Sequence, residues 1–187
     1  MGIRIAGVLL LMLLPDPQLS DFRHHLESFE GRCDFLYLDG NHHCTIGVGH
    51  LLPTFAEARA LMPDLTQAEW DAVLTAKPAM GPHYYAALTT CRMPQDAIDA
   101  LLDTDIAEKS SELTAALPAC TAWPPAVRQC LLDFAFNIGA HGLVQKFPHM
   151  LAACAAGDWK TAAAESKRNG IQADRNEYTE RLLLSAV

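Results

Sequence analysis

Residues 30–51 read EGRCDFLYLDGNHHCTIGVGHL, and the architecture follows from how this stretch is understood. Phe35-Leu36-Tyr37-Leu38 is a short run of strand-forming residues. Asp39-Gly40-Asn41 follows, and Asp-Gly and Gly-Asn are strong hairpin-turn signals. Cys44-Thr45-Ile46-Gly47-Val48-Gly49 then resumes an extended pattern, so a β-hairpin over about 34–50 is predicted. Gly47 and Gly49 fall at alternate positions of the second strand. There they remove side chains from one face and let a ligand or another chain segment come close.

Upstream, residues 19–30 fit one amphipathic helix, with Ser20 as N-cap and Gly31 as the stop. On a wheel of about 100° per residue, Leu19, Phe22, Leu26 and Phe29 form an apolar arc. Glu30 falls about 20° from Leu19, inside or beside that arc, and Glu27 sits on its shoulder. A carboxylate on the apolar side of a helix end is costly to ionise, which suits a general acid. The competing reading is a structural salt bridge. Asp39 at a hairpin turn is wetter and is expected to stay ionised, although Asp before Gly is also ordinary turn chemistry. Thr45 is either a plain strand former or part of a site.

Downstream of Pro53 the patterns are helical throughout. Thr66-Gln67-Ala68-Glu69 is a capping box. Pro94 suits the first turn of a long helix reaching about Ala115. Pro124-Pro125 opens another through Phe136. Further helices are predicted over about 146–156, 158–167 and 174–185, with Gly157 and Gly170 as breaks. One early hairpin followed by many helices indicates an α+β fold, mostly helical.

Composition narrows the function. The chain has 187 residues, half of them apolar, so it can bury a real core. Its net charge of −8 excludes broad, non-specific nucleic-acid binding, which needs a basic face. Met1 to Leu14, MGIRIAGVLLLMLL, has a short basic start and an apolar run. Three readings stay open for residues 1–18: an export or anchor segment in contact with a membrane, a packed N-terminal extension, or a cleaved signal. The run is too short for a standard bilayer-spanning helix. Six cysteines without a C-x-x-C do not match the pattern of a zinc ribbon. They permit disulfides outside the cytoplasm, with Cys33–Cys44 across the hairpin as the first pair to check, while Cys130 and Cys154 read as core residues. His42, His43 and His50 lack further ligands at standard metal-site spacing.

Taken together, Glu30-Gly31, Asp39-Gly40 and Thr45-Ile46-Gly47-Val48-Gly49-His50-Leu51 resemble the phage-type lysozyme (endolysin, muramidase) family. Its members carry Glu, then Asp or Cys, then Thr at the spacing found here, followed by a Thr-Ile-Gly-hydrophobic-Gly-His strand. Leu131 to Gly139, Phe147 to Asp158, and Gly170-Ile171 with Arg175 and Arg181 are similar to later segments of the family. Residues 54–92 look longer than usual for it, and 1–18 lie outside the resemblance.

The resemblance implies a small lobe at about 31–93 and a connecting helix at about 94–115. A helical lobe at about 116–187, joined by helix 19–30, would complete the fold, with substrate in the cleft between lobes. It implies cleavage of the β-1,4 bond between N-acetylmuramic acid and N-acetylglucosamine in peptidoglycan. Glu30 would be the general acid, and Asp39 and Thr45 would position and activate water, with inversion at the anomeric carbon. Gly47, Gly49, Leu51, Phe136 and Asn137 would lie along the substrate; for Phe136 and Asn137, core packing and helix capping remain the alternative. A His50–Asp105 contact is implied, and Arg175 or Arg181 is expected to reach Glu30. No metal or cofactor is required. The expected setting is periplasmic or secreted, as a monomer working as a phage endolysin or an antibacterial effector, the latter with an immunity or inhibitor protein as partner. A catalytically silent binding module and a lytic transglycosylase are the alternative readings.

Overall fold

The computed structural model describes residues 13–78 and 80–186. Of the apolar leader, only Leu13 and Leu14 fall within this range, and both are buried. The readings offered for residues 1–12 therefore lie outside the described residues. Among the described residues, no helix is long and apolar enough to cross a membrane.

Helix α1 spans Asp16–Glu30. It starts a turn earlier than expected, because Pro17 fits a first turn, where no backbone N–H is needed. Ser20 consequently lies inside the helix and is not its N-cap. Leu19, Phe22 and Leu26 form its buried stripe. Gly31 ends it, and its N–H bonds back to the Glu27 carbonyl.

Strand β1 is Cys33–Leu38, β2 is Cys44–Gly47 and β3 is His50–Leu51, joined in an antiparallel sheet of that order. The expected second strand is thus two strands. The chain reverses after Gly47, so Thr45 pairs with Leu51 and Ile46 with His50. Gly47 and Gly49 both have positive φ. They serve this reversal, not one open strand face. Leu38 pairs with Cys44 and Cys33 with Gly47. Cys33 and Cys44 therefore sit at opposite ends of the hairpin, roughly 10 Å apart along β2 at ~3.3 Å per residue. A disulfide needs a Cα separation below about 7 Å. The Cys33–Cys44 bridge is not formed, and all six cysteines are free thiols.

Four helices follow: α2 (Phe55–Leu61), α3 (Gln67–Leu74), α4 (Pro82–Ala86) and α5 (Gln95–Ala116). The capping box at the start of α3 is formed on both sides by Thr66 and Glu69. Glu69 also accepts hydrogen bonds from the Thr90 N–H and hydroxyl, which anchors the segment leading into α5. Gly47 faces α5, where a Cβ would meet Ile98 and Leu101 at 3.6 Å, an ordinary packing distance.

The chain divides into two compact units. Among the described residues, one lies within 23–105 and holds the sheet; the other comprises 13–22 and 106–186. The divisions fall within α1 and α5. In the helical unit a 3-10 turn (Pro118–Ala122) precedes α6 (Pro125–Lys146), α7 (Pro148–Ala156), α8 (Trp159–Ala164) and α9 (Ala173–Leu184). Helix α6 packs on α7 and α9, and α8 packs on both α7 and α9. Val127, Leu131, Leu132, Phe134, Leu143, Met150 and Leu183 are buried there. Among them lies Asp133, fully buried, held by Arg168 Nη2 at 2.7 Å and Arg175 Nε at 3.0 Å. Gly139 interrupts α6 with φ 74°, ψ 154°.

Candidate active site

Glu30 is the last residue of α1. It is exposed, which corrects the expectation of a shielded carboxyl. The helical wheel gave the right direction, since Leu26 one turn back is fully buried. The helix ends at Glu30, however, and no further turn covers the side chain. Its stem instead lies against the backbone of the glycine reversal. A methyl group on Gly49 would meet Glu30 Cβ at 3.4 Å and Oε2 at 3.6 Å. Those are ordinary packing distances, so it is the φ of 75° that calls for glycine at 49.

Asp39 follows β1 and is held by its own loop. Its Oδ1 accepts the N–H groups of Asn41 and His43, both at 2.8 Å. Its Oδ2 faces the His43 ring, with Nδ1 at 3.3 Å. Partial burial works to raise its pKa, but these donors outweigh it and hold the carboxyl below its ordinary value. Asp39 is therefore an anion at neutral pH, as its turn position led us to expect. An ionised carboxylate only accepts, so His43 Nδ1 carries the hydrogen of this contact. The loop is longer than a two-residue turn, and His42 takes the left-handed conformation at φ 67°.

Thr45 is buried in β2 and donates its hydroxyl hydrogen to the His43 carbonyl at 3.1 Å. Tyr37, paired with Thr45 across the hairpin, joins the group electrostatically. Its phenol is pushed up by burial first, and then by neighbouring groups that include Glu30 and Asp39. The sheet unit thus brings Glu30, Asp39, Thr45 and Gly49 into one neighbourhood.

His50 on β3 pairs with Asp105 of α5, Nδ1 lying 2.9 and 3.1 Å from the two carboxylate oxygens. Both side chains are partly buried. Arg32, two residues past Glu30, reaches Glu27 at 2.6 Å, Asp99 at 2.8 Å and Gln95 at 2.8 Å, tying the end of α1 to the start of α5. Leu51 is half exposed and, with His42, His43, Leu52, Trp70 and Leu74, borders a cavity of about 380 Å³. Among the described residues, no three His, Cys, Asp or Glu side chains cluster as a metal site.

The other expected site residues belong to the helical unit. Phe136 is half-buried and meets Phe22 edge-on, with ring centroids 5.7 Å apart. Asn137 Oδ1 accepts from Arg168 Nη1 at 3.3 Å. Arg175 is buried on Asp133, whereas Arg181 is exposed in the last turn of α9. Sequence reasoning did not foresee the part of Asp133 and Arg168. The one available signal was an Asp inside the apolar run Leu131 to Phe136. It also weighed His43 only as a metal ligand and missed its contacts with Asp39 and Thr45.

The phage lysozyme family model matches residues 27–176, a span that includes Glu30, the whole sheet and Arg175. A search of curated proteins returns no match. With most of its length matched, and with Glu30, Asp39 and Thr45 set around one sheet, the chain belongs to the phage lysozyme family.

Proposed function

We propose that the protein is a muramidase that hydrolyses the β-1,4 bond between N-acetylmuramic acid and N-acetylglucosamine with inversion. Membership of the phage lysozyme family supports peptidoglycan hydrolysis in general. The finer reading rests above all on Asp39, an anion locked at Oδ1 by two backbone donors in the same neighbourhood as Glu30 and Thr45.

In this mechanism Glu30 donates its proton to the leaving glycosidic oxygen. Asp39 accepts a proton from the attacking water, which Thr45 helps to hold. The anomeric carbon exchanges one C–O bond for another on its opposite face, which is inversion. Glu30 is exposed in the protein alone, so its shielding comes from the sugar laid over it, which excludes water as the site fills. Gly47, Gly49, Leu51, Phe136 and Asn137 would line the glycan strand, with the His50–Asp105 pair as support. Arg175 or Arg181 would attend Glu30. Residues 1–14 would supply any membrane contact. The enzyme would act in the periplasm or outside the cell, as an endolysin or as an effector met by an immunity protein. A net charge of −8 slows its encounter with anionic wall polymer at low salt.

The test is clearance of purified peptidoglycan with analysis of the ends produced. Glu30→Gln is expected to lose roughly 10²–10⁴-fold in rate, the usual weight of a general acid. Asp39→Ala is expected to fall with it, and the products should be reducing ends of inverted configuration. Equal clearance by wild type and Glu30→Gln would overturn the site. Anhydro ends with Asp39→Ala fully active would replace hydrolysis by lytic transglycosylation.

A further inference from the structure

We propose that His43 is a positioning residue for the water-activating side of the site, its ring fixing the carboxylate of Asp39 while its main chain ties Asp39 to Thr45. The proposal rests on the hydrolytic reading above.

Three groups of this one residue reach the two side chains assigned to the water. The His43 carbonyl accepts the Asp39 N–H at 3.0 Å and the Thr45 hydroxyl at 3.1 Å. The His43 N–H donates to Asp39 Oδ1 at 2.8 Å. The ring Nδ1 lies 3.3 Å from Asp39 Oδ2. Each contact restricts what its partner can do. Oδ1 is occupied by two backbone donors, which leaves Oδ2 as the oxygen that takes a proton. The Thr45 hydrogen is committed to a carbonyl, so its hydroxyl meets a water as an acceptor. A water bonded to Thr45 Oγ1 and Asp39 Oδ2 directs a lone pair away from both, toward the sugar. As its oxygen bonds to the anomeric carbon, one proton passes to Oδ2. The glycosidic C–O bond breaks, and Glu30 protonates the departing oxygen.

The ring contributes the one contact in this set that a side-chain substitution removes. Hydrogen bonds to Oδ1 hold one end of the carboxylate. A donor at Oδ2 fixes its rotation, so the proton-accepting oxygen is aimed before the water arrives. The His43 side chain is 59% exposed, so the core does not depend on it. Its loss should leave the fold intact.

The experiment measures kcat and KM of the full chain on soluble peptidoglycan fragments, with a thermal melt for each variant. For His43→Ala and His43→Leu, kcat should fall about tenfold, with KM within about twofold and the melting temperature unchanged. That pattern marks an interaction strengthened in the transition state. His43→Asn places an amide donor near the former Nδ1 and should recover most of the lost kcat. A wild-type kcat in His43→Ala, or His43→Asn as impaired as His43→Leu, overturns the proposal. If His43→Ala and Asp39→Ala are both fully active, the hydrolytic reading fails and this proposal with it. If Asp39→Ala is inactive and His43→Ala is not, this proposal alone fails.

Discussion

Asp39 in the sheet unit takes its hydrogen bonds from Asn41 and His43, two and four positions along the chain. Asp133 in the helical unit is held by Arg168 and Arg175, 35 and 42 positions away. The first carboxylate is partly exposed and bound by backbone N–H groups, so its loop holds it without distant partners. The second is fully buried between two guanidiniums, one of which also stacks over Phe134 with its carbon 4.1 Å from the ring centre. Local donors orient an anion cheaply and leave it available for chemistry. Long-range donors inside a core commit it to structure, because an unpaired buried charge is costly.

The largest test of this contrast is Asp133→Ala. It leaves two buried guanidiniums facing each other and should cost about 3–5 kcal/mol. For a chain of this size that corresponds to roughly 10 °C in Tm. Asp39→Ala should cost under about 1 kcal/mol while losing activity. Urea unfolding of the two variants side by side checks both, and equal losses of stability would erase the distinction.

A middle case sharpens it. Glu69 is bound locally by Thr66 and at longer range by Thr90, and these donors hold its carboxyl down to about 2 from an ordinary 4.5. Since the folded value is the lower one, its contribution is complete above pH 4.5 and disappears as pH falls to about 2. Glu69→Gln should cost about 1 kcal/mol at pH 7 after solvent screening. Melting curves of variant and wild type should converge on acidification. A gap that persists at pH 2 would deny the role of the charge. The smallest effect belongs to His42→Gly, which relieves a left-handed His in the Asp39 loop. It should raise stability by less than about 1 kcal/mol. A loss of more than that would show that the His42 side chain holds the loop.

The same division explains what could be read without coordinates. The Thr66–Glu69 capping box, the stops at Gly31 and Gly157 and the opening of α5 after Pro94 depend on neighbours within a few positions, and these were legible. Gly47 and Gly49 were ambiguous for a physical reason: alternate glycines suit both an open strand face and a reversal with positive φ, and only strand pairing decides. For Glu30, helical periodicity supplied an azimuth but not a depth, because depth depends on what packs beyond the helix end. Family resemblance drew attention to Arg175 and to the His50–Asp105 pair, yet gave no hint of Asp133 or Arg168. No local pattern connects an Asp in α6 with arginines more than thirty positions later. His43 was visible as a residue but not as a link, since its main chain makes most of its contacts.

Gly139 has one further consequence. A Cβ built there meets nothing within 4 Å, yet the backbone stands at φ 74°, ψ 154°, a region closed to ordinary L residues. The demand at this position is one of handedness, not of size. In a chemically synthesised chain, D-alanine at 139 would preserve the break in α6, whereas L-alanine, with the same atoms in mirror image, would oppose it.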